Sequence, residues 1–381
     1  MTNLPPVLYR GSVKNVRGEV YAENLLFEFS DRYSVFDWGE MPDQLEDKGK
    51  TLAIMGKSFF NYLSRPGNWQ NIFTTPVLKE TFSADYLAGL ENSALFKKYS
   101  RHGLNHHAVL NEASWDNATL EVKNIKILRP SFDDETYGYE VYKNKPVNAL
   151  VPLEVIFRLG LANGNSLSKR LGSDAAKWKE FGFDSVQENG KLLKTPMIDF
   201  STKLERGDRY LDYSEAKSIA GLNDVEWSDL QTMTHLIALN LFCFHHELGL
   251  ELWDGKIEVG FVEGVNGNRE FMLVDSIGID ELRLLYKGKS FSKEFLRETY
   301  KGSDWYKNLE AAKRDSLVSG GDFKALCIGK YKSTPAKLDP EVKKRAESVY
   351  KSYSNAVTEK VIGQKFFAEE FNLDNYSKRY L

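Results

Sequence analysis

Two apolar runs separated by a turn signal dominate residues 252–283. In the first run apolar and polar residues alternate, with Leu252, Ile257, Val259 and Phe261 set against Asp254, Lys256, Glu258 and Gly260. This period of two predicts a β-strand with two unlike faces. Asn266-Gly267 is the strongest short hairpin signal in the chain, and the second apolar run, residues 271–274, ends at Asp275. The pattern therefore predicts a β-hairpin.

The register of this hairpin suggests a metal site. If Asn266 and Gly267 are the two central turn residues, Glu258 lies opposite Asp275. Directly opposed residues have Cβ atoms about 5 Å apart, and two carboxylates that close repel unless a proton or a cation lies between them. A divalent ion shared with substrate phosphates would neutralise both carboxylates, and a ligand set made of oxygen atoms favours Mg²⁺. A solvated hairpin carrying surface acids explains the pattern equally well.

Residues 7–40 predict twisted antiparallel strands: the run over residues 7–16 leads through Arg17-Gly18 into a second run, and residues 24–31 form a third. Backbone N–H groups at the small Gly11-Ser12 pair could approach a phosphate, with Lys14 as a point charge. Ordinary hairpins also contain Gly-Ser-x-Lys, so the spacing alone leaves both interpretations open. A helical pattern follows over residues 50–63 and is stopped by Pro66-Gly67.

The centre of the chain combines an apolar strand with a cluster of cations. Arg158 interrupts the apolar run of residues 149–160, and a buried arginine needs a partner. A helix start follows, with Asn165 or Ser166 as the N-cap and then Lys169 and Arg170. A helix N-terminus with a hydroxyl and two cations is a typical anion site. The alternative is a capped helix with solvated basic residues.

Helical periodicity dominates elsewhere. Apolar residues recur at helical spacing over residues 224–246, and Gly249 is a suitable residue just beyond the helix end. After residue 283 the chain becomes charge-rich and predicts amphipathic helices that pack on the main body. The histidines have no metal-ligand spacing, and we expect His102, His106, His107, His245 and His246 to have packing or surface roles.

Composition narrows the functional classes. The 381 residues carry a net charge of −3, which argues against nucleic acid as a partner. No apolar run approaches the roughly 18 residues of a membrane span, and the N-terminus does not resemble a signal peptide. Cys243 and Cys327 have no CxxC partner and are expected to be buried free thiols. We therefore expect a cytoplasmic protein that binds neither nucleic acid nor membrane, and leave a homo-oligomer open.

Six segments, taken in order, resemble the SAICAR synthetase (phosphoribosylaminoimidazole-succinocarboxamide synthase) family over residues 8–285. They are Gly11-Ser12-Val13-Lys14; the segment DRYSVFD from Asp31 to Asp37; Pro152-Leu153-Glu154 through Arg158, with Asn165-Ser166 and Lys169-Arg170; Thr202-Lys203-Leu204-Glu205 with Asp208; Asp254, Lys256, Glu258 and Gly260; and Asp275, Asp280 and Arg283. Each segment is weak evidence alone, and six in order are strong evidence.

The resemblance implies an α+β fold with antiparallel sheets and two lobes, related to ATP-grasp enzymes and protein kinases, with ATP in the cleft. The corresponding domains are an N-terminal sheet lobe with the phosphate loop (1–127), a catalytic lobe (128–295) and a C-terminal helical extension (296–381). It also implies an ATP-dependent carboxylate-amine ligase of purine biosynthesis. Such an enzyme activates the carboxylate of carboxyaminoimidazole ribotide as an acyl phosphate, which the amine of L-aspartate then displaces.

Site roles follow from the same resemblance. ATP would be bound by Gly11, Ser12, Lys14, Glu258 and Asp275, with Glu258 and Asp275 holding Mg²⁺. The ribotide would be bound by Arg158, Ser166, Lys169, Arg170, Asp280 and Arg283, and the reacting groups would be lined by Lys203, Asp208 and Lys256. Phosphoryl transfer depends mainly on positioning and charge neutralisation, which suits this set of cations and carboxylates.

The sequence departs from the family pattern at Ser12, which stands in place of a lysine, at Ser276, and at residues 278–282. These departures keep open a paralogous ATP-dependent ligase that uses another acceptor or amine. Two further alternatives are a phosphotransferase with Asp208 as base, which lacks an HRD-like loop, and a non-catalytic nucleotide-binding protein.

Overall fold

A computed structural model describes residues 4–111, 115–133, 135–265 and 267–381. The strands are β1 (Val7–Arg10), β2 (Lys14–Arg17), β3 (Asn24–Phe29), β4 (Thr119–Lys123), β5 (Ser131–Phe132), β6 (Tyr137–Gly138), β7 (Ala149–Leu150), β8 (Leu153–Leu161), β9 (Lys191–Thr202), β10 (Tyr210–Leu211), β11 (Leu250–Glu263), β12 (Arg269–Val274), β13 (Leu282–Tyr286) and β14 (Lys289–Ser290).

The helices are α1 (Lys48–Leu63), α2 (Gly67–Gln70), α3 (Pro76–Thr81), α4 (Ala84–Glu91), α5 (Ala94–His102), α6 (Glu140–Lys143), α7 (Ser166–Leu171), α8 (Ala175–Glu180), α9 (Tyr213–Ile219), α10 (Asp224–Glu247), α11 (Glu294–Lys301), α12 (Asp304–Ser319), α13 (Phe323–Gly329), α14 (Pro340–Ile362) and α15 (Leu373–Tyr380). Within the described ranges, none of these helices is both long enough and apolar enough to cross a bilayer.

The chain forms two compact units, each built from separate stretches. Unit 1 contains residues 1–58, 109–122 and 289–381, and unit 2 contains residues 59–108 and 123–288. The sequence prediction of domains 1–127, 128–295 and 296–381 stays a prediction.

Unit 1 contains the four-stranded sheet β1-β2-β3-β4. Its first three strands run antiparallel, with Lys14 of β2 opposite Phe29 of β3. Antiparallel strands were predicted here, but the run over residues 7–16, expected as one strand, is divided between β1 and β2. The C-terminal helices α11–α15 also belong to this unit. Among them, α14 is buried along much of its length, so these helices contribute to the core of unit 1.

Unit 2 is organised on the sheet path β10-β9-β8-β11-β13, with β7 and β12 also paired to β11. One face is apolar, with buried Val155, Phe157, Ile198, Phe200 and Ile257. Helix α10 packs against β8, β9 and β11, and it begins at an Asn223/Glu226 capping box. Gly249 follows the helix with φ +72, the left-handed conformation expected of a residue just beyond a helix end.

The hairpin β11–β12 is present, but the predicted register is wrong by one residue. Glu258 pairs with Val274, and Glu263 pairs with Arg269. The Gly264 N–H donates to the Asn268 carbonyl at 2.7 Å, so three residues close the hairpin instead of two. Asn266, the expected turn residue, lies outside the described residues. Asp275 therefore follows the end of β12 and is not opposite Glu258.

The histidine and cysteine predictions agree with the structure where it is described. His245 and His107 are buried, and the His106 ring lies 4.9 Å from the Phe60 ring centroid. Cys243 and Cys327 are free and buried. These side chains pack inside the fold.

Candidate functional site

The polar candidates in unit 2 lie on one face of its sheet. Asp254 of β11 pairs with Arg158 of β8 and with Arg283 of β13, and Ile156 of β8 pairs with Asp199 of β9. Side chains two residues apart on a strand share a face. This face therefore carries Glu154, Arg158, Asp199, Ser201, Asp254, Lys256, Glu258 and Arg283. The opposite, apolar face packs on α10, so the alternation in the sequence separates the polar face from the core.

Two lysines and two glutamates form an ion-pair network at one end of the polar face. The Lys203 ammonium lies 2.6 Å from Glu258 Oε1 and 3.2 Å from Glu154 Oε1. The Lys256 ammonium lies 2.5 Å from the same oxygen of Glu154. Both carboxylates are buried, whereas the lysine side chains are 27% and 34% exposed. The network is neutral overall, and its lysine side chains are more exposed than its carboxylates.

Both lysines of the network keep their protons. Burial lowers the pKa of Lys203, but the charges of Glu258 and Glu154 outweigh burial and raise the pKa above its ordinary value. The pKa of Lys256 is raised as well, because Glu154 outweighs the effects of burial and of Lys203. A lysine with a raised pKa stays an ammonium at neutral pH and has no lone pair to accept a proton. Lys203 and Lys256 are therefore suited to act as positive charges and hydrogen-bond donors, and not as general bases.

A second cluster, of three arginines and two aspartates, lies at the other end of the polar face. Arg158 Nη2 donates to Asp199 Oδ2 at 2.8 Å, and Arg170 donates to the same oxygen. Asp254 Oδ2 lies 3.6 Å from Arg158 and 3.4 Å from Arg283. Burial lowers the pKa of Arg158, but the charges of Asp199 and Asp254 outweigh it and raise that pKa. The three guanidinium groups exceed the two carboxylates by one positive charge.

Helix α7 places Arg170 in this cluster. Leu167 and Leu171 of the helix are buried with Trp178, so the apolar side of α7 is fixed against unit 2. Asn165 is its N-cap, and its side chain accepts from the Ser168 N–H, as predicted. The Arg170 guanidinium then lies 3.8 Å from the Tyr210 ring centroid.

Ser166 links Arg158 to Tyr210, the residue on which Arg170 stacks. Its hydroxyl accepts from Arg158 Nη2 at 3.2 Å and lies 2.9 Å from the Tyr210 hydroxyl. Arg170 and Arg283 are 27% and 19% exposed, whereas Arg158 is 4% exposed. An anion at this cluster would therefore meet Arg170 and Arg283, with Arg158 as a buried support.

The two predicted metal ligands come from neighbouring positions of the hairpin. Glu258 lies opposite the last residue of β12, and Asp275 follows that residue with φ +66. Strand alternation does not determine the direction of a side chain in this left-handed conformation. The His107 Nε2–H donates to the Asp275 carbonyl at 3.0 Å and supports the bend.

The donor set is compatible with Mg²⁺ but not with a closed protein cage. Among the described residues, no group of three or more His, Cys, Asp or Glu side chains could hold a metal. Mg²⁺ typically uses one or two carboxylates and completes its shell with water and substrate phosphates. Glu258 and Asp275 fit that type of site, and their role as ligands stays a prediction.

The predicted phosphate loop is the tight turn between β1 and β2 in unit 1. The Gly11 N–H donates to the Lys14 carbonyl at 2.8 Å, and a Cβ at Gly11 would come within 2.9 Å of that oxygen. Arg32 holds the turn from its other side, donating to the carbonyls of Gly11 and Ser12 at 3.1 and 3.4 Å. The Lys14 ammonium lies 4.4 Å from the Phe27 ring centroid.

Three further predicted residues come from loops and from the surface of α7. Asp208 is exposed in the loop between β9 and β10, and Lys169 is exposed on α7. Asp280 is half-buried in the turn before β13. Their predicted roles at the reacting groups and at the ribotide stay predictions.

Five residues of these arrangements were not among the predicted site residues: Glu154, Asp199, Tyr210, Asp254 and Arg32. Glu154, Asp254 and Arg32 lie in segments that resemble the family, which was the available signal. Asp199 is a lone acid within an apolar strand, and the argument applied to Arg158 would have identified it as a partner. No signal in the sequence identified Tyr210.

Comparison with known proteins decides the family. The family described as SAICAR synthetase matches residues 7–312. An Archaeoglobus fulgidus protein, provisionally named phosphoribosylaminoimidazole-succinocarboxamide synthase, is 35% identical over 342 residues, which cover 90% of this chain and 88% of that protein. This chain belongs to the SAICAR synthetase family. The predicted family is confirmed, and with it the enzyme class, a ligase.

Solved structures of SAICAR synthetases share this fold. The Saccharomyces cerevisiae SAICAR synthase, solved with SAICAR, aligns with a TM-score of 0.53 at 18% identity, covering 97% of this chain and 98% of that one. A SAICAR synthetase in complex with ADP aligns with a TM-score of 0.50 at 19% identity, covering 82% and 98%. The predicted α+β fold is confirmed.

Proposed function

We propose that this protein catalyses the ATP-dependent condensation of carboxyaminoimidazole ribotide with L-aspartate, giving SAICAR, ADP and phosphate. The observation that carries the proposal is the polar face of the unit 2 sheet. It places an arginine cluster with surplus positive charge beside two lysines that stay protonated. Carboxyaminoimidazole ribotide carries a phosphate and a carboxylate. The arginine cluster offers cations to the phosphate, and the two lysines offer cations to the carboxylate. The names and ligands of the relatives support the same substrates.

The arginine cluster would bind the phosphate of the ribotide. Arg170 and Arg283 are the exposed members, and the planar guanidinium suits bidentate contact with a phosphate. Arg158 would hold Ser166 in place, because its Nη2 donates to that hydroxyl at 3.2 Å. Asp199 and Asp254 keep the guanidinium groups oriented in the absence of substrate.

The lysines would stabilise the charge that develops at the reacting carboxylate. Activation of the carboxylate concentrates negative charge on the transferred phosphoryl group and on the carboxylate oxygens. Fixed cations held by preorganised ion pairs lower the energy of that charge without reorganising during the reaction. Lys203 and Lys256 can supply these cations, since Glu154 and Glu258 hold both ammonium groups. The amine of aspartate would then displace the phosphate and form the amide bond.

The family resemblance implies two sets of nucleotide ligands. Lys14 and the turn at Gly11-Ser12 would contact the phosphates, and Arg32 would fix the shape of that turn. Glu258 and Asp275 would hold Mg²⁺, which neutralises charge on the phosphates during transfer. The Lys203 ammonium contacts Glu258 and so limits how far the Glu258 carboxylate can move.

The decisive experiment is turnover with defined substrates. The protein, ATP, Mg²⁺, carboxyaminoimidazole ribotide and aspartate should produce ADP and SAICAR in equal amounts, measured by coupled ADP release and by mass spectrometry. Reactions without aspartate or without ribotide are the controls. Absence of SAICAR with this substrate pair would reject the proposal. ADP release with a different amine or carboxylate, and none with this pair, would identify a paralogous ligase.

A further inference from the structure

The C-terminal helices of unit 1 hold a strained segment of the chain. Phe36 and Asp37 are consecutive non-glycine residues with φ of +56 and +62. This left-handed conformation is disfavoured for a side chain as bulky as phenylalanine and persists only when its surroundings impose it. Phe36 lies four residues after Arg32, the residue that holds the carbonyls of Gly11 and Ser12.

Residues of helix α12 contact both strained residues. The Phe36 ring lies 4.7 Å from the Tyr306 ring centroid and 6.3 Å from the Trp305 ring centroid. The Lys313 ammonium lies 3.1 Å from Asp37 Oδ2. One helix therefore fixes the side chain of Phe36 by packing and the side chain of Asp37 by charge.

Contacts on either side of the strained pair extend this support. The Tyr33 hydroxyl lies 2.8 Å from the Tyr300 hydroxyl, which donates to the Ala336 carbonyl at 3.0 Å. On the other side, the Lys324 ammonium of α13 donates to the Trp38 carbonyl at 2.8 Å and lies 4.9 Å from the Trp38 ring centroid. Residues 33–38 are thus attached to the C-terminal helices at four successive points.

The same segment connects these helices to the turn at Gly11-Ser12. Arg32 is 8% exposed, and its guanidinium donates to the two carbonyls of the turn and to Asn15 Oδ1 at 3.0 Å. A planar guanidinium that makes several bonds needs a fixed backbone to keep its orientation. Helices α11–α13 supply it, because they fix the residues that immediately follow Arg32.

We propose that helices α11–α13 are a positioning element for the phosphate loop. They hold residues 33–38, including the strained pair Phe36 and Asp37, and this orients Arg32 so that it fixes the turn at Gly11-Ser12. Tyr306 and Lys313 are positioning residues that act through Arg32. This inference rests on the proposed role of the turn in binding the phosphates of ATP.

The test compares two double variants of the full chain. Tyr306→Ala/Lys313→Ala removes the contacts to Phe36 and Asp37. The control, Lys307→Ala/Tyr331→Ala, removes another ion-paired lysine and another tyrosine of the C-terminal helical region, which contact Asp304 and Asp315 instead. Amide hydrogen exchange of residues 9–16 and 31–39 and the dissociation constant of ADP with Mg²⁺ are measured for both.

We expect exchange in both segments to become about tenfold faster in the first variant, which corresponds to about 1.4 kcal/mol. The dissociation constant of ADP should rise by a similar factor, while the KM for the ribotide stays unchanged. The control should match the wild type. If the double variant folds poorly, Lys313→Ala is compared with Lys307→Ala instead. The same differences in amide exchange and in the dissociation constant of ADP are expected, but they should be smaller.

Unchanged exchange over residues 9–16 would overturn the proposal, as would equal effects in the control. Failure of the wild type to bind ADP would overturn it too. These outcomes are distinct from failure of the proposed function. A wild type that makes no SAICAR, but whose ADP affinity and exchange respond to Tyr306→Ala/Lys313→Ala, would reject that activity and support the positioning role.

Discussion

The buried carboxylate of Asp199 should be essential to the arginine cluster. It is fully buried and is shared by Arg158 and Arg170. The substitution Asp199→Asn keeps the size of the side chain and one acceptor oxygen, and removes the charge. Arg158 is then left with Asp254, at 3.6 Å, as its partner in the cluster. The change isolates the electrostatic contribution of one carboxylate.

Removing one partner of a buried ion pair costs about 3–5 kcal/mol, because the other charge stays buried without compensation. Asparagine still accepts a hydrogen bond, so we expect the lower end, about 3 kcal/mol. Unit 2 comprises residues 59–108 and 123–288. For units of this size, each kcal/mol lowers the melting temperature by roughly 2–4 °C, which predicts a loss of roughly 6–12 °C.

Calorimetry of the wild type and Asp199→Asn measures this loss, and steady-state kinetics measures its consequence. The KM for the ribotide should rise about tenfold, the equivalent of about 1.4 kcal/mol, while the KM for ATP should not change. Asp254→Asn is the matched control, since its longer contacts and 12% exposure predict a smaller thermal loss. A melting temperature within about 2 °C of the wild type, well below the expected loss, would refute the reasoning about Asp199.

Three further predictions concern acid stability, anion recognition and the metal. Burial lowers the pKa of His245 to about 4, against about 6.5 in an unfolded chain. The neutral His245 therefore contributes fully to stability above about pH 6.5, and this contribution is lost as the pH falls towards 4. In the variant His245→Leu, the urea midpoint of unfolding should depend less on pH over this range. Arg170→Lys loses the stacking on Tyr210 and the guanidinium fork, so the KM for the ribotide should rise about tenfold with little change in kcat; an unchanged KM would exclude Arg170 from the substrate site. Asp275→Asn tolerates the left-handed backbone and removes the charge, so it should raise the Mg²⁺ concentration for half-maximal activity without lowering the melting temperature, and a wild-type Mg²⁺ requirement would exclude Asp275 as a ligand.

Elements with strong periodicity could be predicted from the sequence. The helix expected over residues 224–246 is α10, Asp224–Glu247, because its apolar residues repeat with the helical period and both ends carry capping signals. The apolar strand expected over residues 149–160 corresponds to β7 and β8. Arg158 on that strand was predicted to need a partner, and Asp199 and Asp254 provide it.

Register and long-range pairing could not be predicted in the same way. The Asn266-Gly267 dipeptide predicted a two-residue turn, but the hydrogen bond from Gly264 to Asn268 closes a three-residue loop. One additional residue shifts every cross-strand pair, so Glu258 faces Val274. The role of the C-terminal helices depends on contacts such as the one between Tyr33 and Tyr300. These residues are far apart in the sequence, so no local pattern indicates the contact.

The departures from the family pattern near Arg283 change the core more than the site. Ile279 and Leu282 are buried, and Leu282 pairs with Gly255, where an added Cβ would meet its side chain at 2.7 Å. Because residues alternate along β11, Gly255 lies on the apolar face, opposite to Asp254 and Lys256. Leu282 therefore packs away from the polar face, and Arg283, the next residue, still reaches Asp254. Substitutions that fill the apolar side of a strand leave the charges on its other side in place, so Ile279 and Leu282 give no reason to expect a different acceptor.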